Sequence, residues 1–284
     1  MLHRSTIQLL RFHFSFFLMP VYWYALGQVT HKNWWHAVLI FIILHALVYP
    51  ASNGYNSFMD RDETSIGGLK NPAPPTKQLF YVSASMDLIA VLLSFLVSIY
   101  LAAGIFAYIL ASRAYSYRGI RLKKFPFIGY LTVIIFQGAV IFFLVYCGSA
   151  QNKILQAPVL CMLSSLLLIG GFYPLTQIYQ HEADIKDNVK TISYVLGYRG
   201  VFIFCGTLYC AAFTMMGIYF FTTNQAKEFF VLTTAMLPVI VYFLQWAVKV
   251  WKDTNEANFS NTMRMNMVAS VCTNIGFIVV LIMK

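Results

Sequence analysis

Two short acidic stretches stand out in an otherwise apolar chain. In the first, Asn56, Asp60 and Glu63 follow one another at spacings of four and three, which places them on one face of a helix. In the second, Gln180, Asp184 and Asp187 repeat this spacing. These stretches contain six of the ten carboxylates in the chain, a concentration that needs a chemical reason.

Carboxylates presented by two separate helix ends favour the binding of a hard divalent cation. Mg²⁺ takes six oxygen ligands at about 2.1 Å, usually one or two carboxylates together with water and phosphate oxygens. Neither stretch contributes a cysteine, or a histidine at metal-binding spacing, which argues against zinc or iron. We therefore expect Mg²⁺ as the cofactor, with Asn56 and Gln180 as neutral oxygen donors.

Basic side chains accompany the acidic ones. Arg61 and Lys70 follow the first stretch, Lys190 follows the second, and five basic residues fall between 113 and 124. Such side chains can bind the remaining oxygens of a polyanion, and a diphosphate with a hydrocarbon tail fits a magnesium site above an apolar bundle. The basic loop is equally compatible with an anchor on anionic lipid headgroups, and both interpretations can hold for different residues.

This combination indicates ionisation of an allylic diphosphate. Mg²⁺ and basic side chains stabilise the charge that develops on the leaving diphosphate. Aromatic residues make up 17% of the chain, and their ring faces can shield a carbocation by roughly 0.5–2 kcal/mol each. The site must also exclude water, which would otherwise capture the cation.

The composition is that of a polytopic membrane protein. The 284 residues are 59% hydrophobic and 11% charged, with a mean hydropathy of +0.67, and a soluble domain would carry more charge. We predict a single all-α domain over residues 1–284, with about nine transmembrane helices around a central cavity that is open to the cytoplasmic side. The predicted spans are 7–27, 35–57, 79–100, 103–117, 127–147, 157–179, 199–222, 229–250 and 262–283.

The distribution of basic residues predicts the topology. Sixteen of the twenty lie on the side of the N-terminus, whereas Lys32, Lys153, Lys227 and Lys284 lie on the other. This bias places the N-terminus and the active-site loops in the cytoplasm, and we expect the bacterial inner (plasma) membrane as the location. The net charge of +10 is thus explained by topology, so we expect membrane lipids as partners and no nucleic acid.

Two features leave alternatives open. The loop after the first acidic stretch contains Gly67, Gly68 and three prolines, which suits either a lid over the substrate or a plain connector. Asp87 is a lone carboxylate inside a span, and we favour a bond to a neighbouring helix over a place in the cavity.

The acidic and basic motifs together resemble the UbiA superfamily of intramembrane prenyltransferases. That family has an NDxxDxxxD motif after its second helix, which Asn56 to Thr64 resembles, and a DxxxD motif after its sixth, which Gln180 to Asp184 resembles. The segment from Tyr117 to Lys124 is similar to the basic loop after the fourth helix. The resemblance extends over all nine predicted spans in order.

The resemblance implies roles for particular residues. The implied catalytic residues are Asn56, Asp60, Asp184 and Lys190. The implied diphosphate-binding residues are Arg61, Lys70, Tyr117, Arg121, Lys123 and Lys190. The implied metal-binding residues are Asn56, Asp60, Glu63, Gln180, Asp184 and Asp187. Three usual carboxylates of the motifs are replaced, by Ser57, Thr64 and Gln180, so either Asp62, Glu63, Glu182 or Asp187 compensates or the site binds fewer metal ions.

The resemblance further implies Mg²⁺-dependent transfer of a polyprenyl group from an allylic polyprenyl diphosphate to an acceptor, with release of diphosphate. An aromatic quinone precursor is the expected acceptor, and lipid alcohols, sugars, chlorophyllides and haem are the alternatives. A non-enzymatic secondary transporter or lipid-binding membrane protein is the competing class. Transporters place their polar residues at the bilayer midplane, whereas here the acids lie at the cytoplasmic ends of spans.

Overall fold

The computed structural model describes residues 2–152 and 154–284, and Lys153, one of the basic residues expected on the outer side, lies outside them. Within the described residues the regular structure is helical apart from two isolated β-bridges. The helices are α1 (Arg4–Leu10), α2 (Met19–Gln28), α3 (Trp34–Asp60), α4 (Lys77–Ser94), α5 (Ile99–Ser116), α6 (Pro126–Ser149), α7 (Val159–Gln177), α8 (His181–Lys186), α9 (Ile192–Thr222), α10 (Ala226–Lys252) and α11 (Phe259–Ile282).

Among the described residues, eight helices are long and apolar enough to cross a membrane, namely α3 to α7 and α9 to α11. They correspond to the second to ninth predicted spans, and the prediction of an all-α polytopic membrane protein is confirmed. The first predicted span, 7–27, is not one helix but α1 and α2 joined by a 3₁₀ helix, Phe12–Phe17.

The break in the first segment has a specific cause. Arg11 adopts a left-handed conformation with φ of 48°, which ends α1. Its guanidinium is buried and donates hydrogen bonds to the carbonyl oxygens of Gly67 at 3.2 Å and Asn53 at 3.3 Å. A straight helix would leave this cation without those partners in an apolar bundle, where an unpaired charge is costly.

The helices pack into a bundle in which the last helix contacts one of the first. α7 lies between α6 and α9, α10 pairs with α11, and α11 packs against α2. α3, which carries the first acidic stretch, packs against α4 and α5. Small residues permit the closest contacts, as expected where lipid gives no hydrophobic driving force for helix association.

Gly138 marks the closest approach of α6 to α7. A Cβ atom at this position would lie 2.6 Å from Leu166 Cα and 2.9 Å from Ser165 O. Both of these are backbone atoms that cannot move without moving α7. The glycine therefore sets the separation of the two helices.

We expect Gly138→Ala to destabilise the protein in detergent by about 1–3 kcal/mol, because the added methyl group overpacks the α6–α7 contact. Thermal unfolding followed by tryptophan fluorescence measures this effect. Gly206→Ala is the matched control, since its Cβ would lie 3.7 Å from the Phe243 side chain, an ordinary contact. Equal melting temperatures for the two variants would contradict this account of the contact.

Candidate active site

A cavity at one end of the bundle collects residues from both acidic stretches. It contains about 1130 Å³ of space free of atoms, including its open mouth. Its polar lining comes mainly from the end of α3, the loop after it, the basic loop, α5 and the α7–α8 junction. The polar and charged lining residues include Arg11, Ser52, Asn53, Asn56, Asp60, Asp62, Ser112, Tyr115, Ser116, Lys123, Gln137, Tyr173, Thr176, Gln177, Gln180 and Asp184.

The carboxyl end of α3 positions Asp60, the last residue of that helix. Arg61 takes a left-handed conformation with φ of 54° and its N–H bonds the Ser57 carbonyl. Arg118 donates to the carbonyl oxygens of Met59 at 2.7 Å and Asp60 at 3.2 Å. A cation at this position satisfies helix-terminal carbonyls and complements the helix dipole.

The Asp60 carboxylate is the most densely contacted acid of the cavity. Lys123 Nζ lies 2.5 Å from its Oδ2 atom, and Asn56 Nδ2 donates to the same oxygen at 2.8 Å and to Ser116 Oγ at 3.0 Å. Arg121 lies 3.8 Å from Oδ1. Only 4% of the Asp60 side chain is exposed, and its Oδ1 atom has no hydrogen-bond partner among the described residues.

Asp184 belongs to the short helix α8. Its N–H bonds the Gln180 carbonyl at 2.8 Å, and its carbonyl accepts from Val189 N–H at 2.8 Å. The buried His181 ties α8 to α9 through a 2.8 Å hydrogen bond with Ser193 Oγ. The second acid is therefore held by contacts with both flanking segments.

Burial raises the pKa of Asp184 to about 7, with Lys123 opposing the shift and nearby acids adding to it. The pKa of Asp62 is raised to about 6, again chiefly by burial, with a further rise from Asp60. Both shifts have the same physical origin, since a charged carboxylate is disfavoured where solvent is excluded and like charges are close. A cation bound among these acids would lower both pKa values.

The oxygen ligands available at this site suit a hard cation that also binds oxygens of a substrate. Asp60 Oδ1 and Asp184 Oδ2 are both buried without hydrogen-bond partners, and Asn56 and Gln180 line the same cavity. The described residues contain no group of three or more His, Cys, Asp or Glu side chains able to hold a metal alone. A cation here would need water and substrate oxygens to complete its coordination, as is usual for Mg²⁺.

The structure brings together only part of the residues predicted for the site. Asn56, Asp60, Lys123, Gln180 and Asp184 line the cavity. At its edge, Arg121 pairs with the Asp187 carboxylate and donates to the Asp187 carbonyl at 3.2 Å. The exposed residues Arg61, Glu63, Lys70, Tyr117 and Lys190 are not in the lining.

The position of Glu63 corrects the expected helical spacing of the first stretch. α3 ends at Asp60, so Glu63 does not continue the helical face of Asn56 and Asp60. The left-handed turn at Arg61 brings Asp62 into the cavity instead. Asp62 is thus the residue of the first motif that lies beside Asp60 in the lining.

Several lining residues were missed by motif reasoning. Arg11 interrupts an apolar run, and a charge there was a signal that the segment does not form a plain span. Asn53 precedes Asn56 by three positions and so shares its helical face. Tyr173 and Gln177 are four residues apart near the end of α7, a spacing that indicates one face but does not identify it as the cavity face.

The loop from Arg61 to Thr76 is tied down at several points. Ile66 and Leu69 pair through two backbone hydrogen bonds, and Gln180 Nε2 donates to Ser65 O at 3.4 Å. Gly68 has φ of 82°, and a Cβ there would lie 2.4 Å from His13 Nε2. The loop also contributes Asp62, Ile66 and Gly67 to the cavity lining.

Asp87 lies outside this site. It forms an ion pair with Arg113 of the neighbouring helix α5 and is absent from the cavity lining. The Arg113 guanidinium also lies 4.0 Å from the centre of the Tyr55 ring. These contacts join α3, α4 and α5, which agrees with the structural role favoured for Asp87.

Comparison with known families identifies the class of protein. The model of the UbiA prenyltransferase family matches residues 17–268, and the chain belongs to this family. It is therefore an integral membrane protein of the prenyltransferase class. A search of curated protein sequences finds no significant match.

Solved structures show the same fold at low sequence identity. A UbiA homologue from Archaeoglobus fulgidus bound to GPP and Mg²⁺ is 17% identical, with a TM-score of 0.72, over 97% of this chain and 99% of that chain. The same values hold for this homologue bound to DMAPP and Mg²⁺. A digeranylgeranylglyceryl phosphate synthase is 16% identical, with a TM-score of 0.62, over 98% and 97% of the two chains.

We expect Lys123→Met to destabilise the metal-free protein by about 3 kcal/mol, because it leaves the buried Asp60 carboxylate without its cation. Thermal unfolding in EDTA measures the effect. Adding Asp60→Asn to the variant should recover most of the loss, since residue 60 then no longer carries the charge that Lys123 neutralised. Lys124→Met, at the exposed neighbouring position, is the control. An unchanged melting temperature for folded Lys123→Met would show that the ion pair does not stabilise the site.

Proposed function

We propose that this chain transfers a prenyl group from an allylic polyprenyl diphosphate to an acceptor, using Mg²⁺ bound at Asp60 and Asp184. One observation carries the proposal. Both carboxylates line a single cavity, each with a buried oxygen that has no hydrogen-bond partner, next to the ammonium group of Lys123. The complexes of the Archaeoglobus homologue with GPP or DMAPP and Mg²⁺ support the choice of an allylic diphosphate.

The proposed donor site uses the charged mouth of the cavity. When bound, Mg²⁺ would neutralise negative charge on the diphosphate and so favour its departure. Asn56 orients Asp60 through its 2.8 Å hydrogen bond. Lys123 lies 2.5 Å from Asp60 Oδ2 and Arg121 lies 3.8 Å from Asp60 Oδ1, and both would bind phosphate oxygens. Arg11, which lines the cavity, is a further cation close to the site.

The reaction replaces the bond between C1 and the diphosphate with a bond between C1 and the acceptor, and it moves one proton. The bond between the allylic carbon C1 and the diphosphate oxygen breaks, and its electron pair leaves with the diphosphate. A nucleophilic atom of the acceptor then bonds to C1, and the acceptor proton passes to the released diphosphate or to a carboxylate of the cavity. Water must be kept away from C1 during transfer, since it would otherwise compete as the nucleophile.

For the acceptor, we propose an aromatic quinone precursor, as the family resemblance suggests. Tyr108 and Phe136 line the cavity, with their rings packed edge to face at 6.3 Å, and such faces suit both an aromatic acceptor and a cation. We further propose that residues 1–284 act as one domain. The location is the bacterial inner membrane, with the cavity mouth and the N-terminus facing the cytoplasm.

We expect Asp60→Asn and Asp184→Asn each to reduce prenyl transfer at least about 100-fold, because each removes a charged ligand of the bound cation. Diphosphate release from a polyprenyl diphosphate, with Mg²⁺ and a membrane extract as the source of acceptor, measures the activity. Glu182→Gln is the matched control, because Glu182 is exposed on the same short helix as Asp184. Retention of most activity by either Asp variant would count against the metal site.

We expect Mg²⁺ to raise the melting temperature more at pH 8 than at pH 6. The pKa of Asp184 is about 7 in the metal-free fold and about 3.9 in an unfolded chain. Its ionisation therefore lowers stability as pH rises from about 4 to 7, and below pH 7 protons compete with Mg²⁺ for the carboxylate. Asp184→Asn should reduce this difference to the part that comes from Asp62, whose pKa is about 6. If Mg²⁺ raises the wild-type melting temperature equally at the two pH values, the assignment of Asp184 as a cation ligand is contradicted.

Identification of the product decides the acceptor. Purified protein is incubated with Mg²⁺, a radiolabelled polyprenyl diphosphate and a host extract of lipids and quinones, and the labelled product is analysed by mass spectrometry. We expect a prenylated aromatic compound that is absent with Asp60→Asn. If the labelled product is a lipid ether or a prenylated haem, the protein is still a prenyltransferase but the proposed acceptor is wrong.

A further inference from the structure

A hydrogen-bonded group in the cavity has no part in the proposed donor site. The hydroxyls of Tyr115 on α5 and Tyr173 on α7 bond to each other. Gln177, one turn after Tyr173, donates from Nε2 to the Tyr173 hydroxyl at 2.9 Å. All three residues line the cavity, so a molecule bound in the cavity can reach them.

The donors and acceptors of this group do not all find partners within the protein. Two hydroxyl groups that share one hydrogen bond use one of their two protons, which leaves the other free to donate. Gln177 Oε1 has no hydrogen-bond partner among the described residues, although Gln177 is only 7% exposed. Leaving such a group unpaired is costly. The group thus offers one hydroxyl donor and one carbonyl acceptor to a ligand.

The hydrogen-bonding pattern of this group selects against a carboxylate ligand. A carboxylate has no proton to donate, so it would leave Gln177 Oε1 without a partner. A neutral hydroxyl has the complementary pattern, because it accepts one hydrogen bond from a tyrosine hydroxyl and donates another to Gln177 Oε1.

We propose that Tyr115, Tyr173 and Gln177 form the acceptor subsite and bind the acceptor through a neutral hydroxyl group. This inference rests on the proposed prenyl transfer and narrows its acceptor to a hydroxylated molecule without a carboxylate at the recognised end. The rings of Tyr108 and Phe136 in the same lining favour an aromatic body. No hydrogen bond among the described residues joins the subsite to Lys123, Arg121 or Arg11, so the binding of the two substrates can be tested independently.

Binding of three small aromatic probes tests the chemistry of the subsite. The dissociation constants of 1-naphthol, 1-methoxynaphthalene and 1-hydroxy-2-naphthoate are measured by calorimetry on the full chain in detergent with Mg²⁺ and DMAPP. We expect 1-naphthol to bind about tenfold more tightly than the methyl ether, which cannot donate, and more tightly than the carboxylate. Equal affinity for 1-naphthol and its methyl ether, or tightest binding of the carboxylate, would overturn the proposal.

Two substitutions test whether 1-naphthol binds at this subsite. Gln177→Leu and Tyr173→Phe should each weaken 1-naphthol binding about tenfold while the dissociation constant of DMAPP changes less than about twofold. Gln151→Leu makes the same chemical change outside the cavity, where Gln151 donates to Lys32 O, and should change neither value. Tyr173→Phe keeps the packing of the ring, so it remains informative if Gln177→Leu does not fold. Unchanged 1-naphthol binding in folded Tyr173→Phe would overturn the subsite.

Separate measurements distinguish the failure of this inference from the failure of the proposed function. If wild-type protein binds neither DMAPP nor a polyprenyl diphosphate with Mg²⁺, the prenyl-transfer proposal itself is wrong. If DMAPP binds as expected but 1-naphthol is not preferred over its methyl ether, only the acceptor subsite is wrong.

Discussion

Burial of carboxylate oxygens in an apolar helical bundle is the constraint on which this structure depends. An isolated ionised carboxylate removed from water is strongly disfavoured unless it is paired and hydrogen-bonded. Lys123 and Asn56 offset the cost of burying the Asp60 carboxylate, yet one of its oxygens has no hydrogen-bond partner among the described residues. Asp184 forms no direct ion pair among the described residues, and burial raises its pKa to about 7 although Lys123 opposes the shift. A divalent cation that carries a diphosphate would satisfy both acids at once, which explains why cations and acids are interleaved at this end of the bundle.

Interrupted helices deliver polar groups to the cavity. α3 ends at Asp60 and turns sharply through Arg61, and the first segment breaks at Arg11. α9 contains a kink at Gly197, where φ is 66° and ψ is 168°, a conformation available mainly to glycine. Irregular backbone inside a membrane protein is tolerated where it is buried in protein or lines a polar cavity. Straight spans throughout would place fewer side chains around a common site.

Some signals in the sequence were sufficient to predict the helices and part of the site. The length of the chain, its apolar runs and its helical spacing predicted eight of the membrane spans. They also predicted that Asp60 and Asp184 lie in one cavity. Both features depend on local periodicity and on the order of the helices along the chain. The prediction for Glu63 required a helix to continue past Asp60, and the left-handed turn that ends it has no clear sequence signal. Arg11 depends on tertiary contacts with Asn53 and Gly67, and Asp62 reaches the cavity through the turn at Arg61. Spacing along the chain encodes neither feature.

The central claim is that Asp60 and Asp184 together bind a divalent cation above the prenyl cavity. Crystals grown with Mn²⁺ in place of Mg²⁺, in the presence of DMAPP, test it directly through the anomalous scattering of manganese. The account predicts a manganese peak within about 2.5 Å of oxygens from both carboxylates, with a phosphate oxygen in the same coordination shell. A structure with DMAPP bound in which manganese contacts neither acid, or lies only at exposed residues such as Glu63, would contradict it.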